Sequence, residues 1–378
     1  MTPNQIKHRS LSNKSNFSQF CFVIIFLLAL PNRLFSQDIY SLNIEKVQGE
    51  GLSNDKINCI KQDKDGFIWF GTDEGLFRYD GYGFKKIKNF PGDTTTLLGI
   101  RITYLLSEKN SLWVGSVEGL SCIDIDSQTI KNFPSYKSFA VNAILRKNDS
   151  VLWVGTNDGL FQFNKKNGQW NRVTALGVNN IIRSMCDDKK DHLYIASSRG
   201  FFCYTKSTGT FKNYNPGLPG HPEVITTYPL GALRSSSDHN GNIWFGTWQN
   251  GLVRFNPKNG EIKSWCAHTD DVHFHFLPFQ RAFDILEDNN GSIWIANGAG
   301  GLSIYDPVKN RFINYPVQIK SENGFSDQVI SLFCDRSGTF WIGTYNGVFK
   351  YDPHSVHLSK TDIIEKKKAA LCNRWIHF

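Results

Sequence analysis

The sequence predicts an all-β fold: a single seven-bladed β-propeller of four-stranded blades, closed by an N-terminal strand that completes the last blade. Three observations support this prediction. The chain of 378 residues has 32 Gly and 14 % aromatic but only 20 % charged residues, which is typical of short strands joined by tight turns. A motif around an aromatic residue recurs seven times. The segment before the first copy alternates like a strand, whereas the last copy lacks a good outer strand.

Each copy of the motif has an aromatic anchor, a Gly or Ala two residues later, and then a Gly followed by a hydrophobic residue. In the first copy these are Trp69-Phe70-Gly71-Thr72 and Gly75-Leu76. Spacings of 40 to 50 residues separate the anchors, which is the period of a propeller blade. The seven anchors are Trp69, Trp113, Trp153, Tyr194, Trp244, Trp294 and Trp341.

The first copy illustrates the four strands expected in every blade. Ile57–Gln62 is the innermost strand, and Asp63–Gly66 forms a turn because Asp bonds its own backbone and Gly accepts positive φ. Phe67–Thr72, Leu76–Asp80 and Phe84–Lys88 are the second, third and fourth strands. We expect the Trp to fill the gap between neighbouring blades and the Gly after it to let the next blade approach closely.

Ring closure is predicted from the two ends of the repeat region. The last copy has a good third strand at Val348–Tyr351 but a poor fourth strand. Ile39–Val47 alternates as a strand and precedes the first innermost strand, so we expect it to supply the missing outer strand of blade 7. This pairing would remove the open edges of the ring.

The first 36 residues have the order of a secretory signal peptide. A leader with Lys7, Arg9 and Lys14 precedes the apolar run Phe20–Leu30, and a small residue, Ser36, precedes the predicted cleavage point. An uncut membrane anchor is the alternative, although eleven apolar residues cover only about 16 Å. We therefore predict residues 1–36 as a signal peptide, a periplasmic or secreted protein, and no membrane-spanning segment after cleavage.

Charge and cysteine content exclude several function classes. The formal net charge is +8, but residues 1–36 and the tail 354–378 account for all but +1 of it, so residues 37–353 offer no electrostatic basis for binding nucleic acid.

The seven cysteines left after cleavage are widely spaced and form no C-x-x-C pair. They predict neither a disulfide framework nor a zinc site, and no cofactor is expected.

The repeats, together with Gly-Leu-Ser-Asn-Asp at 51–55, resemble the two-component regulator propeller repeats. The resemblance covers residues 40 to 353 and implies the periplasmic sensor region of hybrid two-component histidine kinases of Bacteroidota, which typically sense oligosaccharides. Such proteins usually continue into a second propeller, a β-sandwich, a membrane helix and a kinase, whose motifs this sequence lacks. We therefore expect a truncated or frame-shifted product, or a stand-alone propeller that is not itself an enzyme. The tail 354–378 matches none of these modules.

A ligand is expected on the face where the long loops before the innermost strands meet the hairpins between second and third strands, since insertions concentrate there. Trp248 is predicted as a stacking platform for a sugar ring, and three amide side chains could hydrogen-bond sugar hydroxyls. Three arginines near the starts of innermost strands would suit an acidic or sulfated sugar. The amides are Gln249, Asn250 and Asn297, and the arginines are Arg101, Arg183 and Arg281.

Structural roles compete with these assignments. Trp248 could pack between blades, and the arginines could pair with Asp284 or with loop acids. His273 and His275 with two nearby aspartates suggest a metal, but H-x-H alone does not specify a site. A propeller lyase or hydrolase, or a protein-interaction scaffold, stays the alternative function, because propeller enzymes assemble their sites from scattered residues. A homodimer or another sensor–sensor contact is also left open.

Overall fold

The computed structural model describes residues 42–52, 55–134, 139–214, 232–248, 251–265, 281–298, 301–315 and 328–355. They belong to the unit that begins at Leu42 and form seven four-stranded antiparallel sheets. Each innermost strand contacts the innermost strands of both neighbouring sheets, and that of the seventh sheet contacts that of the first. The sheets are therefore the seven blades of a closed propeller, as predicted.

The strands are numbered here in chain order, four to a blade. The N-terminal strand is β1 (Glu45–Lys46). Blades 1 and 2 consist of β2 (Ile57–Gln62), β3 (Ile68–Thr72), β4 (Leu76–Tyr79), β5 (Phe84–Lys86), β6 (Ile102–Glu108), β7 (Ser111–Ser116), β8 (Gly119–Asp124) and β9 (Ile130–Pro134). Blades 3 and 4 consist of β10 (Val141–Arg146), β11 (Val151–Thr156), β12 (Gly159–Asn164), β13 (Trp170–Arg172), β14 (Ile182–Asp187), β15 (His192–Ser197), β16 (Gly200–Thr205) and β17 (Thr210–Tyr214).

The remaining blades follow the same plan, and a single 3-10 turn, Thr174–Leu176, is the one helical element among the residues described. Blades 5 and 6 consist of β18 (Ala232–Ser237), β19 (Ile243–Thr247), β20 (Leu252–Phe255), β21 (Ile262–Trp265), β22 (Ala282–Glu287), β23 (Ile293–Asn297), β24 (Gly301–Asp306) and β25 (Arg311–Tyr315). Blade 7 consists of β26 (Val329–Cys334), β27 (Phe340–Thr344) and β28 (Gly347–Tyr351), with β1 as its outer strand.

Strand β1 closes the ring. Glu45 pairs with Lys350 and Lys46 with Phe349, and the Val47 N–H donates to the carbonyl oxygen of Val348 at 2.9 Å. This confirms the role predicted for the N-terminal segment, but the paired part is shorter than Ile39–Val47, because regular pairing in the part described from Leu42 covers two residues. The closure joins the two ends of the chain's repeat region non-locally.

The anchor tryptophans lie between the blades, as predicted. Trp69 of blade 1 is fully buried and packs with Ile102 and Leu105 of blade 2. A Cβ atom added at Gly71 would lie 2.5 Å from the Cys59 Sγ and 2.7 Å from the Ile102 Cγ2. Only a residue without a side chain fits there, because the next blade's innermost strand passes at contact distance.

A buried aspartate in the turn before the second strand holds the anchor in place. The Trp69 Nε1–H donates to one oxygen of Asp63 at 2.7 Å, and the other oxygen accepts the N–H groups of Asp65 and Phe67. The same bond joins an Asp six residues earlier to the indole in three further blades. These pairs are Asp238 and Trp244, Asp288 and Trp294, and Asp335 and Trp341. The Asp-rich turns therefore position the inter-blade packing.

The predicted signal peptide, residues 1–36, and residues 356–378 of the predicted tail lie outside the described part of the chain. Within the described part, no helix has the length and apolar character needed to cross a membrane.

Candidate functional site

Two sets of loops meet on one face of the propeller. In several blades a backbone N–H of the hairpin between the second and third strands donates to the carbonyl of a residue just before the innermost strand. Val117 bonds Arg101 at 3.3 Å, Asn157 bonds Ala140 at 3.1 Å, and Gly347 bonds Asp55 at 3.1 Å. The hairpins and the loops before the innermost strands are therefore side by side, as the sequence predicted.

Every innermost strand carries a β-bulge at its second residue. In blade 1, Ile57 pairs with Thr72 and Cys59 with Gly71, so Asn58 has no partner in the ladder, and the other blades repeat this register shift. A bulge redirects the side chain of the extra residue. The seven bulge residues are Asn58, Thr103, Asn142, Arg183, Leu233, Phe283 and Ile330.

All seven bulge residues line one cavity of about 380 Å³, which we call the funnel. The bulge residues of blades 1 to 4 are polar, and those of blades 5 to 7 are apolar. Arg101, Asn157 and Arg234 add polar groups, whereas Val117 and Ala140 add apolar ones. The funnel therefore has a polar half and an apolar half, and its described lining contains no Asp or Glu.

Three polar bulge residues also tie neighbouring blades together. The Asn58 amide donates to the carbonyl of Ile102 at 2.9 Å, the Thr103 hydroxyl donates to the carbonyl of Val141, and the Asn142 amide donates to the carbonyl of Ile182 at 3.0 Å. Each acceptor is the first residue of the next blade's innermost strand. Bulge side chains thus have a structural role in addition to their place on the funnel wall.

Arg234 of blade 5 extends across the funnel. Its Nη2 lies 3.4 Å from the carbonyl oxygen of Asn58 in blade 1, and its guanidinium carbon lies 5.4 Å from the centre of the Tyr104 ring in blade 2. Blades 1 and 2 are not neighbours of blade 5 in the ring. The guanidinium therefore lies close to the axis of the propeller, at the inner end of the funnel.

Further titratable groups surround Arg234. Both oxygens of Asp284 accept backbone N–H groups, from Leu332 at 2.8 Å and Ile285 at 3.0 Å, and burial raises the pKa of the Asp284 carboxyl. Burial lowers the pKa of Lys61, although the Asp284 charge opposes this, and burial raises the pKa of Tyr104. Burial thus opposes the charged forms of Asp284, Lys61 and Tyr104.

The structure places two of the predicted arginines in the funnel and one at its rim. Arg101 and Arg183 line the funnel, and the Arg101 Nε lies 3.1 Å from an oxygen of Asp73. The Arg281 guanidinium instead stacks over the Trp248 indole at 4.4 Å. Trp248 is 42 % exposed and its ring centre lies 6.0 Å from that of Phe283, so it extends the apolar half of the funnel outward.

Other predicted residues are not assembled with these. Asn297 is fully buried at the end of β23, and its amide donates to the Ser303 hydroxyl at 2.6 Å. Most blades have Thr or Ser at this position, whose hydroxyl donates to the Gly carbonyl of the same hairpin, as Thr72 does at 3.0 Å. Asn297 is therefore part of the sheet interior. Gln249, Asn250 and the histidines of the loop 268–280 lie outside the described residues.

Sequence reasoning missed Asn58, Asn142 and Arg234. A signal for the first two was present: the bulge residue stands eleven positions before the anchor in six blades and ten before it in blade 2. The residue type at this position changes from blade to blade while the motif around it repeats. Arg234 follows a bulge by one position, and only the three-dimensional structure shows that it crosses the axis.

The described part of the chain contains no cluster of three or more His, Cys, Asp or Glu that could hold a metal ion. The described cysteines are free thiols. Burial raises the pKa of the Cys59 and Cys186 thiols to about 12, so both are protonated and unreactive at neutral pH.

Comparison with known proteins matches two stretches of the chain to a family of repeats. The family described as two component regulator propeller matches residues 51–74 and 323–346. A curated protein named histidine kinase P4, from Formosa agariphila, is 30 % identical over 82 residues, which is 22 % of this chain and 6 % of that protein.

Solved structures share the fold. The extracellular domain of the hybrid two-component system BT3049 from B. thetaiotaomicron is 22 % identical, with a TM-score of 0.66 over 82 % of this chain and 42 % of that domain. The corresponding domain of BT4673 from the same organism is 21 % identical, with a TM-score of 0.68 over 84 % and 40 %. The chain thus spans less than half of either domain.

An enzyme also shares the fold. A virginiamycin B lyase from Staphylococcus aureus is 14 % identical, with a TM-score of 0.62 over 82 % of this chain and 99 % of that enzyme. At this identity the likeness concerns architecture alone. Two stretches of the chain thus match two-component regulator propeller repeats, and the described residues form a seven-bladed propeller.

Proposed function

We propose that this chain is a periplasmic sensing propeller of the two-component type, and that it binds an oligosaccharide in the funnel. The match to two-component regulator propeller repeats supports the sensing role. The names of the BT3049 and BT4673 structures, which describe extracellular domains of two-component systems, support a location outside the cytoplasm. The signal-like sequence of residues 1–36 supports the same location.

One observation carries the binding proposal: the bulge residues of all seven blades converge on a single cavity on the face that bears the loops. Sugars present hydroxyl groups at their edges and C–H groups on their faces. The polar half of the funnel offers the Asn157 amide group and the amide oxygens of Asn58 and Asn142 for the hydroxyls, because the Asn58 and Asn142 N–H groups already donate to protein acceptors. The apolar half, extended by the exposed Trp248, offers surfaces for the C–H faces.

Ligand binding is tested with the full chain, purified after export, by calorimetry against a panel of plant, algal and host oligosaccharides. Asn157→Ala removes a funnel amide and Trp248→Ala removes the rim indole, and each should weaken binding at least fivefold. Asn171→Ala is the control, because Asn171 is exposed on the outer strand β13. A panel without a binder, or affinity unchanged in both funnel variants, contradicts the proposal. Formation of a product from the ligand would favour a lyase instead.

Location and processing are tested separately. Cell fractionation should recover the protein in the periplasm, and N-terminal sequencing of the mature protein should begin near Gln37. Recovery in the cytoplasm with Met1 intact would contradict both the signal-peptide prediction and the sensing role.

A further inference from the structure

The funnel contains more positive charge than its described surroundings neutralise. Its lining includes Arg101, Arg183 and Arg234 but no carboxylate. Among the described residues, no Asp or Glu oxygen lies within 4.0 Å of Arg183 or Arg234, whereas Arg101 pairs with Asp73. Two of the three guanidinium groups therefore face the cavity without an ion-pair partner.

The nearby acids are already engaged by other donors. The Asp73 Oδ1 accepts both the Asn58 amide at 2.8 Å and the Arg101 Nε at 3.1 Å. Asp284 accepts two backbone N–H groups and lies beyond ion-pair distance from Arg234. The Arg234 charge acts on the Asp284 carboxyl from a distance and lowers its pKa against the effect of burial, but among the described residues neither acid forms a contact ion pair with this guanidinium.

The hydrogen-bonding capacity of the two arginines is similarly incomplete. The single described bond of Arg234 is the long 3.4 Å contact with the Asn58 carbonyl, although a guanidinium carries five N–H donors. The Arg183 Nε is buried and has no acceptor among the described residues. A buried, charged donor without an acceptor is costly, which applies to the Arg183 Nε, and the partly buried Arg234 guanidinium has donors to spare, so both groups favour an acceptor that enters the cavity.

We propose that the funnel is an anion site, in which the Arg234 guanidinium at the axis and the Arg183 guanidinium on the wall bind a carboxylate or sulfate group of the ligand. Both anion types match the fork of N–H donors on a guanidinium. The inference rests on the proposed function for the location of the ligand, and it adds the ligand's chemical class.

The apolar half of the funnel defines the rest of the ligand. Leu233, Phe283 and Ile330 lie on the wall opposite the polar bulge residues. A ligand with its anionic group at Arg234 would place an apolar face against these side chains. A uronic acid residue or a sulfated sugar within an oligosaccharide has this combination of groups.

The test uses sodium sulfate as the probe and the full exported chain as the protein. Thermal unfolding is followed in sodium sulfate and in sodium chloride of equal ionic strength, and glucuronate and glucose are compared by calorimetry. We expect sulfate to raise the unfolding temperature more than chloride does, and glucuronate to bind at least tenfold more tightly than glucose. Equal effects of the two salts and equal affinities for the two sugars would overturn the proposal.

Variants locate the site. Arg183→Gln and Arg234→Gln should each weaken sulfate binding at least fivefold. Arg254→Gln is the matched control, because the Arg254 Nε is likewise buried without an acceptor among the described residues but lies on strand β20, outside the funnel. Arg183 lies on the wall, so its variant keeps the test decisive if Arg234→Gln does not fold. Sulfate affinity unchanged in Arg183→Gln would contradict the assignment.

The two proposals fail in different ways. A neutral oligosaccharide that binds the wild type, loses affinity in Asn157→Ala and is indifferent to both arginine variants would preserve the sensing function and refute the anion site. Sulfate binding that depends on Arg183, in a protein that binds no oligosaccharide, would support the anion site and contradict the proposed oligosaccharide binding.

Discussion

Replacing Trp69 by Phe should destabilise the propeller more than replacing Trp113 by Phe. Both indoles lie between blades and are nearly inaccessible, at 0 % and 4 % exposure, so the two substitutions remove similar apolar area. They differ in one respect. The Trp69 Nε1–H donates to the Asp63 carboxylate at 2.7 Å, whereas Ser107 stands six residues before Trp113 and the Trp113 Nε1 has no described partner.

The magnitude of the difference follows from that bond. A hydrogen bond to a charged group contributes about 1.5–3 kcal/mol. Its loss in Trp69→Phe also leaves an oxygen of Asp63, itself 1 % exposed, without its donor. Trp113→Phe removes a donor that makes no described bond. We therefore expect Trp69→Phe to cost about 2 kcal/mol more in free energy of unfolding.

Urea denaturation followed by circular dichroism, with fluorescence as a second probe of the same transition, measures both variants against the wild type. Asp63→Asn provides an independent check, because it keeps one acceptor oxygen but replaces the other by an amide that cannot accept the indole N–H. Equal losses in the two Phe variants, within about 0.5 kcal/mol, would refute the conclusion that the aspartate secures the anchor.

Three further predictions concern closure, blade spacing and pH. Val47→Ala should lower the free energy of unfolding by about 2 kcal/mol because Val47 packs in the core beside β28. Val308→Ala, at a 91 % exposed site, is the control and should leave that free energy unchanged in the same denaturation assay. Gly71→Ala should lower the free energy of unfolding by about 1–3 kcal/mol, because the added Cβ would overlap the next blade. Gly83→Ala is the control, since an added Cβ there meets nothing closer than 3.9 Å, and it should not be destabilising. The Glu287 carboxylate raises the pKa of His239, so their pairing should stabilise the fold below the ordinary histidine pKa and the benefit should disappear as pH rises through the raised value. Glu287→Gln should abolish this pH dependence and return the His239 pKa to its ordinary range in an NMR titration.

The sequence predicted the architecture well because the repeated residues are those that blade packing constrains. Trp69 must fill the space between two sheets and Gly71 must admit the next strand, so similar residues recur in each copy. Period, anchors and closure can be read from such a pattern. The closing strand was predicted too long in its described part, since only Glu45 and Lys46 pair regularly with β28. Alternation of residue types does not show where pairing with the neighbouring strand ends.

The candidate site was less predictable because a bulge is a property of two paired strands. Whether Asn58 or Cys59 is the extra residue depends on its register with Thr72 and Gly71, which no local pattern specifies. Proximity to strand starts was enough to suggest Arg101 and Arg183. It was not enough to exclude Asn297, whose position at a strand end resembles an exposed hairpin in the sequence but is fully buried in the sheet.

The bulge position explains how seven similar repeats can form one specific site. Residues between blades must satisfy two sheets at once, whereas a bulge residue lacks a ladder partner and faces the cavity, so its type can vary more from blade to blade, even though Asn58, Thr103 and Asn142 also bond the next blade. The types at this position run in sequence around the ring, polar in four consecutive blades and apolar in the next three. The same residue at all seven positions would offer a ligand seven equivalent orientations. Two contiguous halves, with Arg234 extending from blade 5 toward Asn58, make the funnel asymmetric, so we expect the proposed ligand, with one anionic edge and one apolar face, to bind in a single orientation.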